Sequence, residues 1–238
     1  MKWVTDRMGR FAKRPHYLPE ELDTECERVI LGFLKLKYGR VEFPIKTDDL
    51  TVLIEQKADL DSYADFSGEE GEVEGVTEFA PGRRPTVRIA NALQANYMEN
   101  RLRTTLTHEY GHVHFHQFMF DVENQPRSLF EDDHLGQTNK CKRENIVNAA
   151  EPDWMEWQAG YACGAILMPV SALIDTVQSF RAQNNLPFSN LALDSDEGRG
   201  LIATVAATFQ TSRDAARVRL LKKRILTDSG TSRAQELF

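Results

Sequence analysis

The segment His108-Glu109-Tyr110-Gly111-His112 has the residue types and spacing of a metal site. On an α-helix, at about 100° per residue, His108 and His112 lie about 40° apart and one turn from each other. Two imidazoles placed in this way can bind one Zn²⁺ at about 2.0–2.1 Å each. Glu109 is poorly aimed at the same ion, but it can act as general base on a water molecule. Because Zn²⁺ lowers the pKa of that water to roughly 7, the segment predicts metal-assisted hydrolysis near neutral pH.

A third ligand is expected, since catalytic zinc sites usually have three protein ligands and one open position. Glu156 is the best candidate. On a helix it shares a face with the small residues Ala159, Gly160 and Cys163, so another helix can come close to it. The alternative is a capping box, in which Asp153 is the N-cap and the Glu156 carboxylate bonds only to backbone N–H. Spacing alone leaves both interpretations open.

Four further residues are weaker candidates for metal binding. His116 is the rival ligand; it lies about 40° past His112 but one turn further along, which favours a place behind the ligands or in the core. His114 points away from the metal-binding edge and is predicted to be structural or exposed. His134 and Cys141 lack the paired spacing of a metal site.

The helix that carries the motif is predicted to run from about Met98 to about Phe118. A separate apolar arc on it can pack into a core while the metal-binding edge faces a cleft. Gly111 costs roughly 1 kcal/mol relative to Ala inside a helix, so another element is expected to approach the backbone there. The apolar arc consists of Leu102, Leu106, Tyr110 and Val113.

Apolar periodicity and composition predict the other elements. The predicted helices are 19–40, 153–168 and 196–225, the last interrupted near 210–212. The predicted strands are 50–55, 75–79 and 85–89, of which the last two are joined by a hairpin turn at 80–84. The polar segments 59–75 and 121–150 are predicted to be loops.

Composition restricts the environment and the partners. The chain has 238 residues, a net charge of -7 and three widely separated cysteines, which argue against a disulfide framework and for a reducing, cytoplasmic compartment. There is no apolar run of about 18 residues and no apolar N-terminal segment of the signal-peptide type. The acidic balance gives little general attraction for nucleic acid. A basic segment at 213–224 keeps a local DNA contact open, with a solvated helix face as its alternative.

The sequence resembles the ImmA/IrrE family of zinc metallopeptidases. That resemblance implies that His108, His112 and Glu156 bind the metal and that Glu109 is the catalytic base. It also implies a metal site similar to that of thermolysin-like zincins. The implied substrate is a helix-turn-helix transcriptional repressor, because several members of the family cut such a repressor and many are encoded beside one. The separation of His112 and Glu156 is longer here than is expected for the family. The matching segments are 89–91, 101–104, 108–112 with His116, 156–159, 167–169, 209–212 and 215–220.

Together these observations predict an α+β, zincin-like fold, with a small and mainly antiparallel sheet packed on the motif helix and a C-terminal helical region. The predicted organisation is a basic tail over 1–18, a metallopeptidase-like domain over 19–180 with a polar insertion near 121–150, and a helical region with a frayed tail over 181–238.

The primary hypothesis is peptide-bond hydrolysis on one zinc ion, although two histidines and a glutamate also suit manganese or iron. The substrate is expected to lie as an extended strand beside residues 86–89. Tyr161 and His134 are candidates for stabilising the oxyanion. Two alternatives are a non-catalytic regulator that binds a partner protein or DNA, and the toxin-like half of a toxin–antitoxin pair.

Overall fold

Seven α-helices and eight strands make up most of the part of the chain that the computed structural model describes. That part comprises residues 1–69, 71–120, 137–142 (backbone only) and 153–228. The mixture of helices and sheet confirms the predicted α+β class. The helices are α1 (Pro19–Tyr38), α2 (Thr47–Glu55), α3 (Glu99–His116), α4 (Trp154–Leu167), α5 (Val170–Gln183), α6 (Asp196–Phe209) and α7 (Arg213–Lys222).

A four-stranded sheet lies against α3, which carries the histidine motif. The order of its strands is β3-β5-β4-β6. Strand β4 is antiparallel to both β5 and β6, whereas β3 is parallel to β5. This confirms a small, mainly antiparallel sheet and the hairpin between its two central strands. The strands are β3 (Asp59–Ala64), β4 (Val73–Phe79), β5 (Thr86–Ala90) and β6 (Gln137–Lys142).

The prediction of a strand at 50–55 is wrong, because these residues belong to helix α2. Leu50, Leu53 and Ile54 are buried, and their spacing of three and four residues is that of a helix face rather than of a strand. Two aspartates in the first turn also favour the helix, since they complement its dipole. Branched apolar residues indicate burial here, not strand geometry.

The prediction of a loop over 59–75 is also wrong at both of its ends, which belong to strands β3 and β4. Residues 59–64 form strand β3, in which Leu60, Ser62 and Ala64 point inward between exposed neighbours. Pairing with β5 stabilises this strand despite its aspartates. Within the predicted loop at 121–150, residues 137–142 form strand β6, and the remainder lies outside the described residues.

The segment predicted as a basic N-terminal tail contains a hairpin over residues 2–16. Strand β1 (Lys2–Thr5) pairs antiparallel with β2 (Lys13–His16). Arg10, in the turn between them, forms an ion pair of 2.7 Å with Asp153 at the start of α4. The hairpin therefore helps to hold the helix that carries Glu156.

The apolar arc of α3 packs into the main hydrophobic core, as predicted. Leu106, Tyr110 and Val113 are each at most 3% exposed, and Leu102 packs against them from the edge. The opposite side of α3 faces α4, and the two helices are in close contact at Gly111. A Cβ atom added at Gly111 would lie 3.0 Å from Ala159 Cα and 3.2 Å from Ala159 O. The glycine therefore permits close packing of α3 on α4.

Replacing Gly111 by alanine is expected to destabilise the protein by about 1–3 kcal/mol, because the new methyl group meets backbone atoms that cannot move independently. Gly32→Ala is the matched control, since a Cβ atom at this helical position meets no atom within 4 Å. That change should increase the free energy of unfolding by up to about 1 kcal/mol. Urea denaturation of the two variants measures both effects. An increase in stability with Gly111→Ala would contradict the close packing of the two helices.

The C-terminal helices follow the predicted pattern, with a break between α6 and α7 at residues 210–212. Arg103 of α3, which is completely buried, joins this region to the motif helix. Its guanidinium donates to Phe209 O at 3.1 Å and to Gln210 O at 3.0 Å. These carbonyls end α6 and would otherwise lack helical partners. Helix α5 and the short parallel pair β7 (Leu191–Ala192) and β8 (Leu226–Thr227) are not predicted by the sequence patterns.

No single helix among the described residues is both long and apolar enough to cross a membrane. Helices α4 and α5, which meet at a bend of 56°, satisfy the length and composition only when taken together.

Candidate metal centre

Three side chains from two helices meet in the interior of the protein. His108 and His112 lie one turn apart on α3, with their Nε2 atoms separated by 3.0 Å. The Glu156 carboxylate reaches across from α4, with Oε2 at 3.2 Å from His108 Nε2 and Oε1 at 3.2 Å from His112 Nε2. All three residues are buried. They form a group that could hold a metal ion.

The separations between these atoms agree with those of a tetrahedral ion. Two ligands at about 2.05 Å from an ion, with a tetrahedral angle between them, are about 3.3 Å apart. The observed distances of 3.0 and 3.2 Å are close to this value. Two ring nitrogens facing each other so closely require a proton or a cation between them, since two lone pairs would repel each other. The donor set therefore fits one small cation with nitrogen and oxygen ligands.

A chain of hydrogen bonds fixes which nitrogen of His112 can bind the ion. Gln158 Nε2 donates to Pro15 O at 3.0 Å, so its Oε1 accepts from His116 Nε2 at 3.1 Å. In a neutral His116 ring, Nδ1 is then an acceptor, and it takes a bond from His112 Nδ1 at 3.1 Å. Nε2 of His112 is left with its lone pair directed at Glu156 and His108. His116 therefore lies behind His112, the position that its spacing in the sequence favoured.

The protonation of His116 agrees with this arrangement. Burial, together with the neighbouring His112, lowers the pKa of His116 well below its usual value. The ring is therefore neutral at physiological pH and can accept a hydrogen bond. Partners of this kind orient a metal-bound histidine and select its tautomer.

The capping-box alternative for Glu156 is only half formed. Asp153 is the N-cap of α4, and its carboxylate accepts from Met155 N at 3.2 Å and from Glu156 N at 3.4 Å. The Glu156 carboxylate contacts the two histidines of α3. The geometry therefore favours Glu156 as a ligand while leaving Asp153 as the cap.

The charges of the site are strongly coupled. Burial alone would raise the pKa of Glu156, but His112 and His108 outweigh it and hold the pKa far below the usual value of a glutamate. Burial would likewise lower the pKa of His112, yet the Glu156 and Glu109 carboxylates raise it. A metal ion binds the neutral imidazole, so the raised pKa of His112 makes proton and metal compete and metal affinity depend on pH.

Glu109 lies beside this group with one oxygen bonded and the other unpartnered. Its Oε2 accepts a hydrogen bond of 2.5 Å from Thr77 Oγ1, from strand β4. Its Oε1 is buried and has no hydrogen-bond partner among the described residues. Burial raises the pKa of Glu109, against the lowering effects of His112, His108 and Thr77. One oxygen is thus fixed by the sheet, and the other has no hydrogen-bond donor among the described residues.

Gly75 leaves the room that the Glu109 side chain occupies between α3 and the sheet. A Cβ atom at Gly75 would lie 2.6 Å from Glu109 Oε1 and 2.9 Å from Thr105 Cγ2. Strand β4 can therefore approach α3 this closely only with glycine at that position. The residues that sequence reasoning missed are Gly75, Thr77 and Gln158. A glycine at the first position of a predicted strand is the one signal that pointed to such an approach.

Other sequence-predicted residues of the site lie elsewhere or cannot be placed. Tyr161 OH donates to Asp23 Oδ2 at 2.9 Å on α1, so it is not available to stabilise an oxyanion. His114 contacts Glu25 at 2.8 Å and Lys57 at 3.0 Å, which agrees with a structural role. His134 lies outside the described residues, and Cys141 is described only by its backbone.

Two expectations about access to the site do not agree with the described residues. His108, Glu109 and His112 have no exposed surface, so within the described part of the chain the His-Glu-His edge is not seen to face a cleft. A substrate strand cannot add beside residues 86–89, since β5 is paired with β3 on one side and β4 on the other.

The chain was compared with known families and proteins. A scan against models of protein families finds no match, and a search of curated proteins finds none either.

Proposed function

We propose that this chain is a zinc-dependent metallopeptidase. The observation that carries the proposal is the convergence of His108, His112 and Glu156, with ligand atoms within 4.8 Å of one another, beside a second acidic group, Glu109. Three protein ligands of this kind leave one position of a tetrahedral ion open for water or substrate. A structural zinc site, by contrast, is closed by four protein ligands. The resemblance of the motif segments to ImmA/IrrE metallopeptidases supports the same activity.

The residues of the chain have separate tasks in such a reaction. A zinc ion in the site would supply a Lewis acid, which lowers the pKa of water to about 7 and polarises a carbonyl oxygen. Glu109 takes the proton of the attacking water at Oε1 and returns it to the leaving amine. Thr77 holds Oε2 and so directs Oε1 at the reacting atoms. The chain from Pro15 through Gln158 and His116 keeps His112 in its ligating tautomer.

The substrate we propose is a helix-turn-helix repressor encoded beside the gene for this chain. The test is to incubate the zinc-loaded full-length protein with that repressor and to follow its cleavage by mass spectrometry. Cleavage should stop after metal chelation and return when zinc is added. An intact repressor, together with no cleavage of unfolded protein substrates, would rule out the activity. Cleavage of unfolded substrates alone would retain the peptidase and reject the repressor.

Replacing Thr77 by valine is expected to reduce the turnover number by roughly 10- to 100-fold, because a hydrogen bond to a charged group contributes about 1.5–3 kcal/mol. Zinc content should stay the same, since Thr77 contacts Glu109 and none of the three ligands. Thr77→Ser keeps the hydroxyl and is the matched control, with activity near that of the original protein. Equal losses in the serine and valine variants would show that packing, not the hydrogen bond, matters here.

The alternative of a DNA-binding regulator has less support. It rests on the basic segment 213–224, but three of its cations already have carboxylate partners. Only the remaining charges of the segment would be free to contact phosphates. The pairs are Arg217 with Asp214 at 3.5 Å, Arg219 with Asp23 at 2.7 Å and Lys223 with Asp23 at 2.8 Å. A toxin-like role shares the peptidase chemistry, and expression without the neighbouring gene would distinguish it.

A further inference from the structure

A cavity of about 210 Å³ lies between the N-terminal hairpin and helix α4, and it is partly open to solvent. Strand β2 contributes Arg14 and His16 to its lining, and α4 contributes Trp154, Trp157 and Gln158. None of these five residues is among the three proposed metal ligands or the proposed base. The cavity is therefore a place where a second molecule could bind without entering the metal centre.

Arg14 brings an uncompensated positive charge to this cavity. Its side chain is half-buried, and the guanidinium has no ion pair and no hydrogen bond within the described part of the chain. The guanidinium carbon lies 5.6 Å from the centre of the Trp154 ring. Arg10 lies over the same ring at 5.7 Å, but it is paired with Asp153 at 2.7 Å. Asp153 thus serves Arg10, and the charge of Arg14 is left for another anion.

The other polar groups of the lining also favour a ligand that accepts hydrogen bonds. Gln158 is already engaged at both ends, because its Oε1 accepts from His116 and its Nε2 donates to Pro15 O. Trp157 is half-buried, and its indole N–H, which can only donate, has no hydrogen-bond partner among the described residues. His16 can donate or accept. A lining with one permanent cation and more free donors than acceptors suits an anion.

The walls and the size of the cavity restrict the rest of the ligand. Two indole rings provide flat apolar surface, and aromatic rings pack on such surfaces in offset or edge-to-face arrangements that add to the gain from burial. Pockets that bury drug-sized ligands measure about 300–1,000 Å³, so a cavity of about 210 Å³ suits one ring with its charged group.

We infer that this cavity binds a small aromatic carboxylate, in which a single planar ring carries one carboxyl group. The carboxylate pairs with the Arg14 guanidinium, whose planar fork matches two carboxylate oxygens, and the ring lies against the indole of Trp157. Since Arg14 belongs to the hairpin and Trp157 to α4, the ligand joins these two elements. The inference does not depend on the proposed peptidase activity.

Benzoate is the probe, and two compounds of similar size are its controls. The chain has three tryptophans, so ¹⁵N-resolved NMR of the full-length protein can follow each indole N–H signal. Benzoate is expected to shift the signal of Trp157 with a Kd on the order of 1 mM, and to leave that of Trp3, which lies outside the cavity, unchanged. Benzamide, which is uncharged, and cyclohexanecarboxylate, which is not planar, should each bind several-fold more weakly. Equal binding of benzoate and either control would overturn the proposal, as would the absence of a shift at Trp157.

Variants of two neighbouring residues on β2 localise the charge that is recognised. Arg14→Gln should weaken benzoate binding about tenfold or more, because it removes the cation that pairs with the carboxylate. Lys13→Gln is the matched control, since Lys13 is exposed and lies outside the lining, and affinity should stay the same. If both variants weaken binding equally, general electrostatic attraction explains the result and the site is rejected. Trp157→Leu should also weaken binding several-fold, and the comparison of Arg14 with Lys13 decides the question even if that variant does not fold.

Discussion

Replacing Glu156 by alanine should reduce zinc affinity by well over 100-fold. The substitution removes one of three side chains that surround the ion position, and its carboxylate supplies the negative charge closest to both histidines. Loss of a group that merely supports a ligand already costs about 10–100-fold in metal affinity, so loss of a ligand should cost more. Competition with a fluorescent zinc chelator at fixed pH measures the dissociation constant.

Asp153→Ala is the matched control for this experiment. It removes the carboxylate that caps α4, and stability should decrease by about 0.5–2 kcal/mol while zinc affinity changes little. If Glu156 were only part of a capping box, both variants would lose stability and neither would lose zinc. Retention of full affinity by Glu156→Ala would therefore remove Glu156 from the metal centre.

Replacing Glu109 by glutamine should leave zinc affinity unchanged and reduce peptide hydrolysis by about 10²–10⁴-fold, the usual contribution of a general base. The amide is nearly the same size as the carboxylate, and its oxygen can still accept the hydrogen bond from Thr77. It cannot accept a proton from water. Parallel measurements of zinc content and of cleavage rate test the two halves of the prediction, and undiminished cleavage would exclude Glu109 as the base.

The same variant has a consequence that needs no substrate. Burial raises the pKa of Glu109, which means that the folded protein disfavours the carboxylate relative to the unfolded chain. For an acid with a raised pKa, stability is present at low pH and lost as pH rises through the folded-state value. Neutral glutamine should therefore increase the free energy of unfolding of the zinc-free protein at pH 7, and this gain should disappear in acid. A decrease at pH 7 would contradict the pKa direction.

The arrangement around Glu109 illustrates a balance between stability and function. The buried oxygen without a partner, Oε1, is unfavourable for folding but suits a group that must accept a proton. Gly75 leaves room for that oxygen against strand β4, and Thr77 keeps the other oxygen in place. Sites that break the usual rules of packing and hydrogen bonding are often the functional ones.

The sequence by itself determined the parts of the site that lie within one helix. The positions of His108, Glu109 and His112 follow from the 3.6-residue period, as does the apolar arc that anchors α3 in the core. The small residues beside Glu156 correctly indicated a close approach of two helices, which occurs at Gly111 and Ala159. Local geometry is nearly the same in every α-helix, so these relations can be read from spacing.

Only the tertiary structure decided which partners these residues meet. The contact of Thr77 with Glu109, the hydrogen bond of Gln158 to Pro15, and the pairing of β3 with β5 all join segments distant in the sequence. Such contacts are set by strand register, by helix packing and by the burial of a shared core, and spacing along the chain does not encode them. The physical reason is that a period fixes directions within one element, whereas the distance between two elements results from the packing of the whole chain.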